Sequence, residues 1–135
     1  MGKMQAVVKR VGASGLAMIG KASSGHWVPM DTVPEVGGDN GASRPVELLL
    51  LALGGCTSMD VLSIIAKKRI KLDDFEITLE ADRAEEHPKV MTHITMVYHF
   101  YGDGLRAEDL QQAVHLSEEK YCSVSAMLRK AKSTL

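Results

Sequence analysis

The sequence predicts an α+β fold in which antiparallel sheets surround a long central helix. Three observations carry this. Residues 75–82 alternate between apolar and polar side chains, as a half-buried strand does. Residues 45–68 form a largely apolar stretch with no internal proline, far too long for a strand. The order along the chain is strands, one long helix, a hairpin and then helices, rather than the regular alternation that builds parallel sheets.

The elements follow in turn. "MQAVVKRV" and "GLAMIGKA" are short strands on either side of the turn "GASG", and "GHWVPM" is a third. Asp31 to Ser43 holds the Pro, Gly, Asn and Asp of a loop, with no regular hydrophobic period. Ser43 is placed to cap the helix that follows, and Pro45 suits its first turn. The helix runs to about Lys68, nearly 40 Å at about 1.5 Å per residue. It is apolar on all sides from Val46 to Ala66, the signature of a helix buried all round. In a chain this small it belongs at the centre or in an oligomer interface.

The next strand turns Phe75, Ile77, Leu79 and Ala81 inward, and "RAEEHP" is a turn. "KVMTHITMVYHFY" is its antiparallel partner, with Val90, Ile94, Met96, Tyr98 and Phe100 on one face. "RAEDLQQAVHLSEEKY" is helical, with Leu110, Ala113, Val114 and Ser117 inward and Cys122 at its end. "SVSAMLRKA" starts a last short helix, with Ser123 as the candidate cap. No repeat or linker interrupts residues 1–135, so a single domain is expected.

Bulk properties set the class. The chain has 135 residues, a net charge of −1 and 45% hydrophobic residues, an ordinary globular balance. No basic stripe suggests nucleic acid. The apolar run Val46–Cys56 is shorter than a bilayer requires, and the N-terminus lacks the apolar core of a signal peptide. The expectation is a cytoplasmic protein without a membrane partner.

Two cysteines are present, Cys56 and Cys122, with no CxxC pair and no His/Cys cluster at zinc spacing. His93 and His99 share a strand face but stand about 20 Å apart at strand rise, too far for one ion. No metal and no cofactor are expected. The segment "LALGGCTSMDV" is unusual in placing Gly54 and Gly55 in a helix directly before Cys56. Each glycine costs roughly 1 kcal/mol relative to alanine there. Something must come close to the backbone, whether a helix, a partner subunit or a substrate.

"SRPVELLLLALGGCTSMDVLSI" and "SEEKYCSVSAML" resemble the two cysteine-bearing segments of the OsmC/Ohr family, closest to its YhfA-type branch. The resemblance spans nearly the whole chain. It implies the OsmC-like fold, an intertwined homodimer with long central helices at the interface, and active sites between subunits. It also implies a thiol peroxidase that reduces small organic hydroperoxides. Cys56 matches the attacking cysteine, which becomes a sulfenic acid. Cys122 matches the resolving cysteine, and a dithiol reduces the resulting disulfide. This suits the chemistry of thiols, since the attacking group must be a thiolate and free cysteine has a pKa of about 8.5. The plain alternative makes both core thiols.

The family pairs an arginine and a glutamate near the reactive cysteine. Its glutamate directly follows the proline. Here that place is Val46, and the glutamate is Glu47, nine positions before Cys56. At about 100° per residue Val46 lies about 80° from Cys56 around the helix, and Glu47 about 180°. Glu47 therefore either serves a site through an irregular first turn or the other subunit, or it stabilises the helix N-terminus. The family's arginine precedes a glycine turn on an N-terminal strand, where "VVKRVGASG" offers Arg10; Arg44 at the helix start is the second candidate. Asp60, one turn beyond Cys56, raises a neighbouring thiol's pKa unless it is paired. A second function stays open: a non-enzymatic small-molecule-binding or redox-sensing dimer on the same fold.

Overall fold

A computed structural model describes residues 2–131. The fold is α+β, with two antiparallel sheets and one long helix. The chain divides into two compact units, Met1–Leu49 and Leu50–Leu135.

The first unit holds β1 (Ala6–Arg10), β2 (Met18–Ala22) and β3 (Val28–Met30), paired antiparallel in that order. Arg10 closes β1 opposite Met18. Lys9 and Lys21 lie over the Trp27 ring at 5.4 and 4.9 Å, shielding an exposed aromatic with two lysine stems. The expected loop is ordered and includes a 3₁₀ turn at Pro34–Val36. Its organiser is the buried Asp31. The Asp31 carboxylate accepts backbone N–H bonds from Thr32 at 2.8 Å, Gly41 at 3.0 Å and Asp39 at 3.3 Å. The loop folds so tightly that a Cβ on Gly38 would stand 2.2 Å from the Thr32 carbonyl oxygen.

The Gly41 N–H, with those of Thr32 and Asp39, holds the Asp31 carboxyl below its ordinary value of 3.8. Because the folded value is the lower one, this contribution to stability is complete above pH 3.8 and is lost as pH falls through the folded value. Amide exchange at Gly41 and Thr32 is expected to stay slow until the solution is more acid than that. Loss of protection at higher pH would show that the carboxylate does not hold the loop.

Helix α1 (Pro45–Lys67) starts one residue later than Ser43 would dictate. The first intrahelical bond runs from the Leu48 N–H to the Arg44 carbonyl, making Arg44 the cap residue and Pro45 the first helical position. Glu47 reaches back to accept the Arg44 N–H at 2.8 Å, half of a capping box. The helix ends with Arg69 at φ 60° and the Ile70 N–H bonded to the Ile65 carbonyl, which turns Ile70 into the core. By length and composition this helix is long enough to cross a membrane, which the shorter run Val46–Cys56 understates. In the fold only one stripe of it is buried.

The expectation of burial all round needs correction. Leu53, Thr57, Val61 and Ile65, spaced four apart, form the buried stripe, while Leu51 is 61% and Met59 74% exposed. Val61, Ile65 and Ala113 make the core, packed by Phe75, Tyr98 and Phe100 from the sheet and by Leu110 and Val114. Phe75 and Phe100 meet edge-on with ring centres 5.2 Å apart. Gly54 explains one of the two glycines: a Cβ there would lie 2.8 Å from Leu79 Cδ1, so the strand packs directly on the helix backbone. Gly55 has nothing within 4 Å of such a Cβ.

β4 (Asp74–Arg83) and β5 (Met91–Tyr101) form the hairpin. Phe75 faces Phe100, Ile77 faces Tyr98, Leu79 faces Met96 and Ala81 faces Ile94. Val90 is not on that face. A register shift at Asp82/Arg83 starts the strand at Met91 and leaves Val90 exposed in the turn. Then come α2 (Ala107–Leu116), a π-helical turn over Ser117–Tyr121, and α3 (Ser123–Lys130). The single helix expected through Tyr121 thus changes pitch at Ser117.

Candidate active site

Three pieces of the second unit meet at the cysteines: the middle of α1, the π turn and the start of α3. Cys56 is half-buried on α1, and Cys122 is 3% exposed between the π turn and α3. Sixty-six positions apart in sequence, their sulfurs lie within 4.8 Å of one another, and an Asp60 carboxylate oxygen lies within the same distance of both. A disulfide needs its sulfurs at about 2.05 Å, which side-chain rotation at the two cysteines must supply.

The start of α3 aims its free N–H groups at the two sulfurs. Cys122, not Ser123, is the cap residue: its Sγ accepts the Ser125 N–H at 3.4 Å. The Val124 N–H and the Ser123 hydroxyl favour the charged form of Cys56. A thiolate is the anion that a helix N-terminus favours. Burial pushes the Cys56 thiol up, but the Val124 N–H, the Cys122 thiol and the Ser123 hydroxyl outweigh it, so Cys56 ends below its ordinary value. The Asp60 charge opposes them. Burial likewise pushes Cys122 up, and there the bonds from Thr57 and the Ser125 N–H do not compensate. Deprotonation is therefore divided unequally, favoured at Cys56 and disfavoured at Cys122.

Residues beyond the two cysteines hold this arrangement. Thr57, fully buried, places Oγ1 at 3.5 Å from Cys122 Sγ. The buried Ser117 hydroxyl donates to Asp60 Oδ2 at 3.3 Å. Behind Cys122, the Tyr98 hydroxyl donates to Glu118 at 3.5 Å, Glu118 lies 3.8 Å from Arg129, and Arg129 donates to the Ser125 hydroxyl at 3.3 Å. That chain ties β5, the π turn and α3 together. Burial, followed by the Glu118 charge, raises the Tyr98 phenol, which keeps it a neutral donor. Thr57 carried a weak signal, a polar residue in a buried helix stripe. Nothing marked Glu118 or Arg129.

Arg10 and Glu47 belong to the first unit. Arg10 is exposed at the end of β1. The Glu47 carboxylate is engaged at the start of its own helix, where it also pairs with the Arg44 guanidinium at 3.7 Å.

Alkylation of the reduced protein near neutral pH is expected to label Cys56 before Cys122, since Cys56 is both the more exposed and the more acidic. Peptide mass spectrometry at partial labelling reads the order; Cys122 labelled first would reverse the roles.

Residues 38–135 match the family described as OsmC-like protein. Protein YhfA of Escherichia coli K12 is 43% identical over 130 residues, covering 95% of this chain and 91% of that protein. A crystal structure of a hypothetical protein from Aquifex aeolicus superposes with a TM-score of 0.81 at 34% identity, over 97% of this chain and 90% of that one. An organic hydroperoxide resistance protein OsmC from Legionella pneumophila shares the fold with a TM-score of 0.65 at 20% identity, over 93% and 89% of the two chains.

Proposed function

We propose that this chain, which belongs to the OsmC-like protein family, is a thiol peroxidase that reduces small organic hydroperoxides. The observation that carries the proposal is the pair of sulfurs within 4.8 Å, with the start of α3 favouring the thiolate at Cys56 and burial disfavouring it at Cys122. The Legionella protein with the same fold is known as an organic hydroperoxide resistance protein, which supports the substrate class.

Atoms and electrons balance across the cycle. The Cys56 thiolate attacks the outer peroxide oxygen. The O–O bond breaks, an alkoxide leaves and takes a proton to become the alcohol, and Cys56 becomes a sulfenic acid. Cys122 sulfur then attacks Cys56 sulfur, forming the S–S bond and releasing water. A dithiol reductant exchanges with that disulfide, restoring two thiols and leaving oxidised. The reducing cytoplasm is the compartment in this proposal.

Arg10 is assigned the cation that favours the thiolate and the departing oxygen, because it precedes a glycine turn on an N-terminal strand as the family's arginine does, and arginine keeps its charge throughout the working pH range. Glu47 is assigned its partner. The working form is a homodimer: Leu51 and Met59 are large apolar side chains exposed on α1, and a second copy would cover them. The capture of Glu47 by Arg44 and the charge of Asp60 beside Cys56 favour the second reading, a binding or redox-sensing dimer with little turnover.

Rapid mixing of reduced protein with cumene hydroperoxide or hydrogen peroxide, followed by a thiol count, decides between them. The peroxidase loses two thiols per chain, faster with the organic peroxide. Thiols that survive both reagents leave the binding protein.

A further inference from the structure

Asp60 has no part in the peroxide chemistry. Its charge works against the Cys56 thiolate, yet the fold sets it within 4.8 Å of both sulfurs. Among the described residues, its carboxylate receives one side-chain hydrogen bond, from Ser117 to Oδ2, and no Lys or Arg lies within ion-pair distance of it. Three groups that are anions when deprotonated thus share one small volume. From this juxtaposition we infer that the reduced site is a three-ligand centre for a thiophilic divalent cation of the Zn²⁺ class, bound by Cys56 Sγ, Cys122 Sγ and an Asp60 carboxylate oxygen, with a fourth position left to water.

The geometry suits that ion. In a tetrahedron with Zn–S near 2.3 Å and Zn–O near 2.1 Å, neighbouring ligand atoms stand roughly 3.5–3.8 Å apart. The three atoms lie within 4.8 Å of one another, so side-chain rotation of about 1 Å or less closes the set. Two thiolates exclude Mg²⁺ and Ca²⁺, which take oxygen ligands, and the carboxylate suits a borderline ion such as Zn²⁺. The surroundings are those of a ligand set held from outside. Ser117 fixes one Asp60 oxygen and leaves the other free, and Thr57 and the Ser125 N–H fix Cys122. Spacing along the sequence conceals the site, because Cys122 comes from a distant segment.

The proposal goes beyond the peroxidase reading and is tested without peroxide. A bound ion and a disulfide exclude each other, since the S–S bond takes both sulfurs. Reduced full-length protein is titrated with Co²⁺ as a spectroscopic probe, and Zn²⁺ affinity is then measured by competition with a chromophoric chelator. One Co²⁺ per chain should give tetrahedral d–d bands and a thiolate-to-cobalt charge-transfer band, both erased by Zn²⁺. Diamide, which takes two electrons and two protons from the thiols and leaves the disulfide, should abolish binding. The Cys56→Ser, Cys122→Ser double variant keeps all five histidines and should show no charge-transfer band. Asp60→Asn should weaken Zn²⁺ binding by about tenfold or more. Asp60→Cys, which offers a third thiolate, should strengthen the band and confirm that this position faces the ion. Absence of a thiolate–cobalt band in the reduced protein, or equal Zn²⁺ affinity in Asp60→Asn and the parent, overturns the inference. Either result leaves the thiol count with hydroperoxide as it was.

Discussion

Cys56→Ser is expected to remove hydroperoxide reduction, by on the order of 10³-fold or more, while Cys122→Ser keeps a single turnover. The two variants differ because the proposed roles differ. A serine hydroxyl at position 56 is not ionised near neutral pH, so the N–H groups at the start of α3 have no anion to stabilise and no nucleophile remains. At position 122 the loss falls after the O–O bond has broken. Cys56 should then accumulate as a sulfenic acid, trapped by dimedone and counted by mass, with one alcohol formed per chain. Continued turnover in Cys56→Ser would end the assignment. Turnover in Cys122→Ser that stays at the parent rate would mean an external thiol resolves the sulfenic acid, and that the approach of the two sulfurs is not part of the cycle.

Ile65→Ala is expected to lower stability by about 2–5 kcal/mol. Ile65 is 2% exposed and belongs with Val61 and Ala113 to the core that Phe75, Tyr98 and Phe100 close from the sheet side. Truncation removes three carbons from a place where α1, the hairpin and α2 all contribute walls, so the gap has little freedom to collapse. Ile65→Val removes one methylene and should cost about 0.5–1.5 kcal/mol. Urea unfolding with an unchanged slope reads both. A loss under about 1 kcal/mol for Ile65→Ala would mean that the core repacks. Leu51→Ala separates the single chain from the assembly. At an exposed site it should change stability by less than about 0.5 kcal/mol, unless a second copy covers it, in which case the loss grows on dilution.

The parts of this fold that repeat with a period were legible in the sequence. The alternation Phe75, Ile77, Leu79, Ala81 marked its own inner face, and the run after Pro45 marked the helix to within a residue. Features that depend on a partner across space were not. Val90 keeps the correct parity for the inner face, but the shift at Asp82/Arg83 spends that parity in the turn. Ser43 and Ser123 carry the usual capping side chains, yet Glu47 reaches back to Arg44 and the Cys122 sulfur caps α3. At α3 the Cys122 sulfur takes the Ser125 N–H, and at α1 the cap position falls on Arg44, so a capping side chain in the sequence does not by itself fix where a helix starts. At the site, family likeness marked both cysteines. Asp60 was legible beside Cys56 from its place one turn on, but the contacts of Thr57 with Cys122 and of Ser117 with Asp60 follow from packing α1 against the π turn, which no spacing along the chain expresses.

The π turn has a consequence for how this sequence tolerates change in length. The Cys122 N–H bonds the Ser117 carbonyl, five residues back, at 2.8 Å. An α-helix would make that bond four residues back, so the segment Ser117–Tyr121 holds one residue more than a regular helix has room for. Deleting a single residue there would restore the ordinary phase and rotate all that follows by about 100°. Cys122 would then leave the face of α1, taking the start of α3 with it, although every residue of the site would still be present. The register of this turn is therefore as much a part of the site as the thiols, and it admits substitution far more readily than deletion.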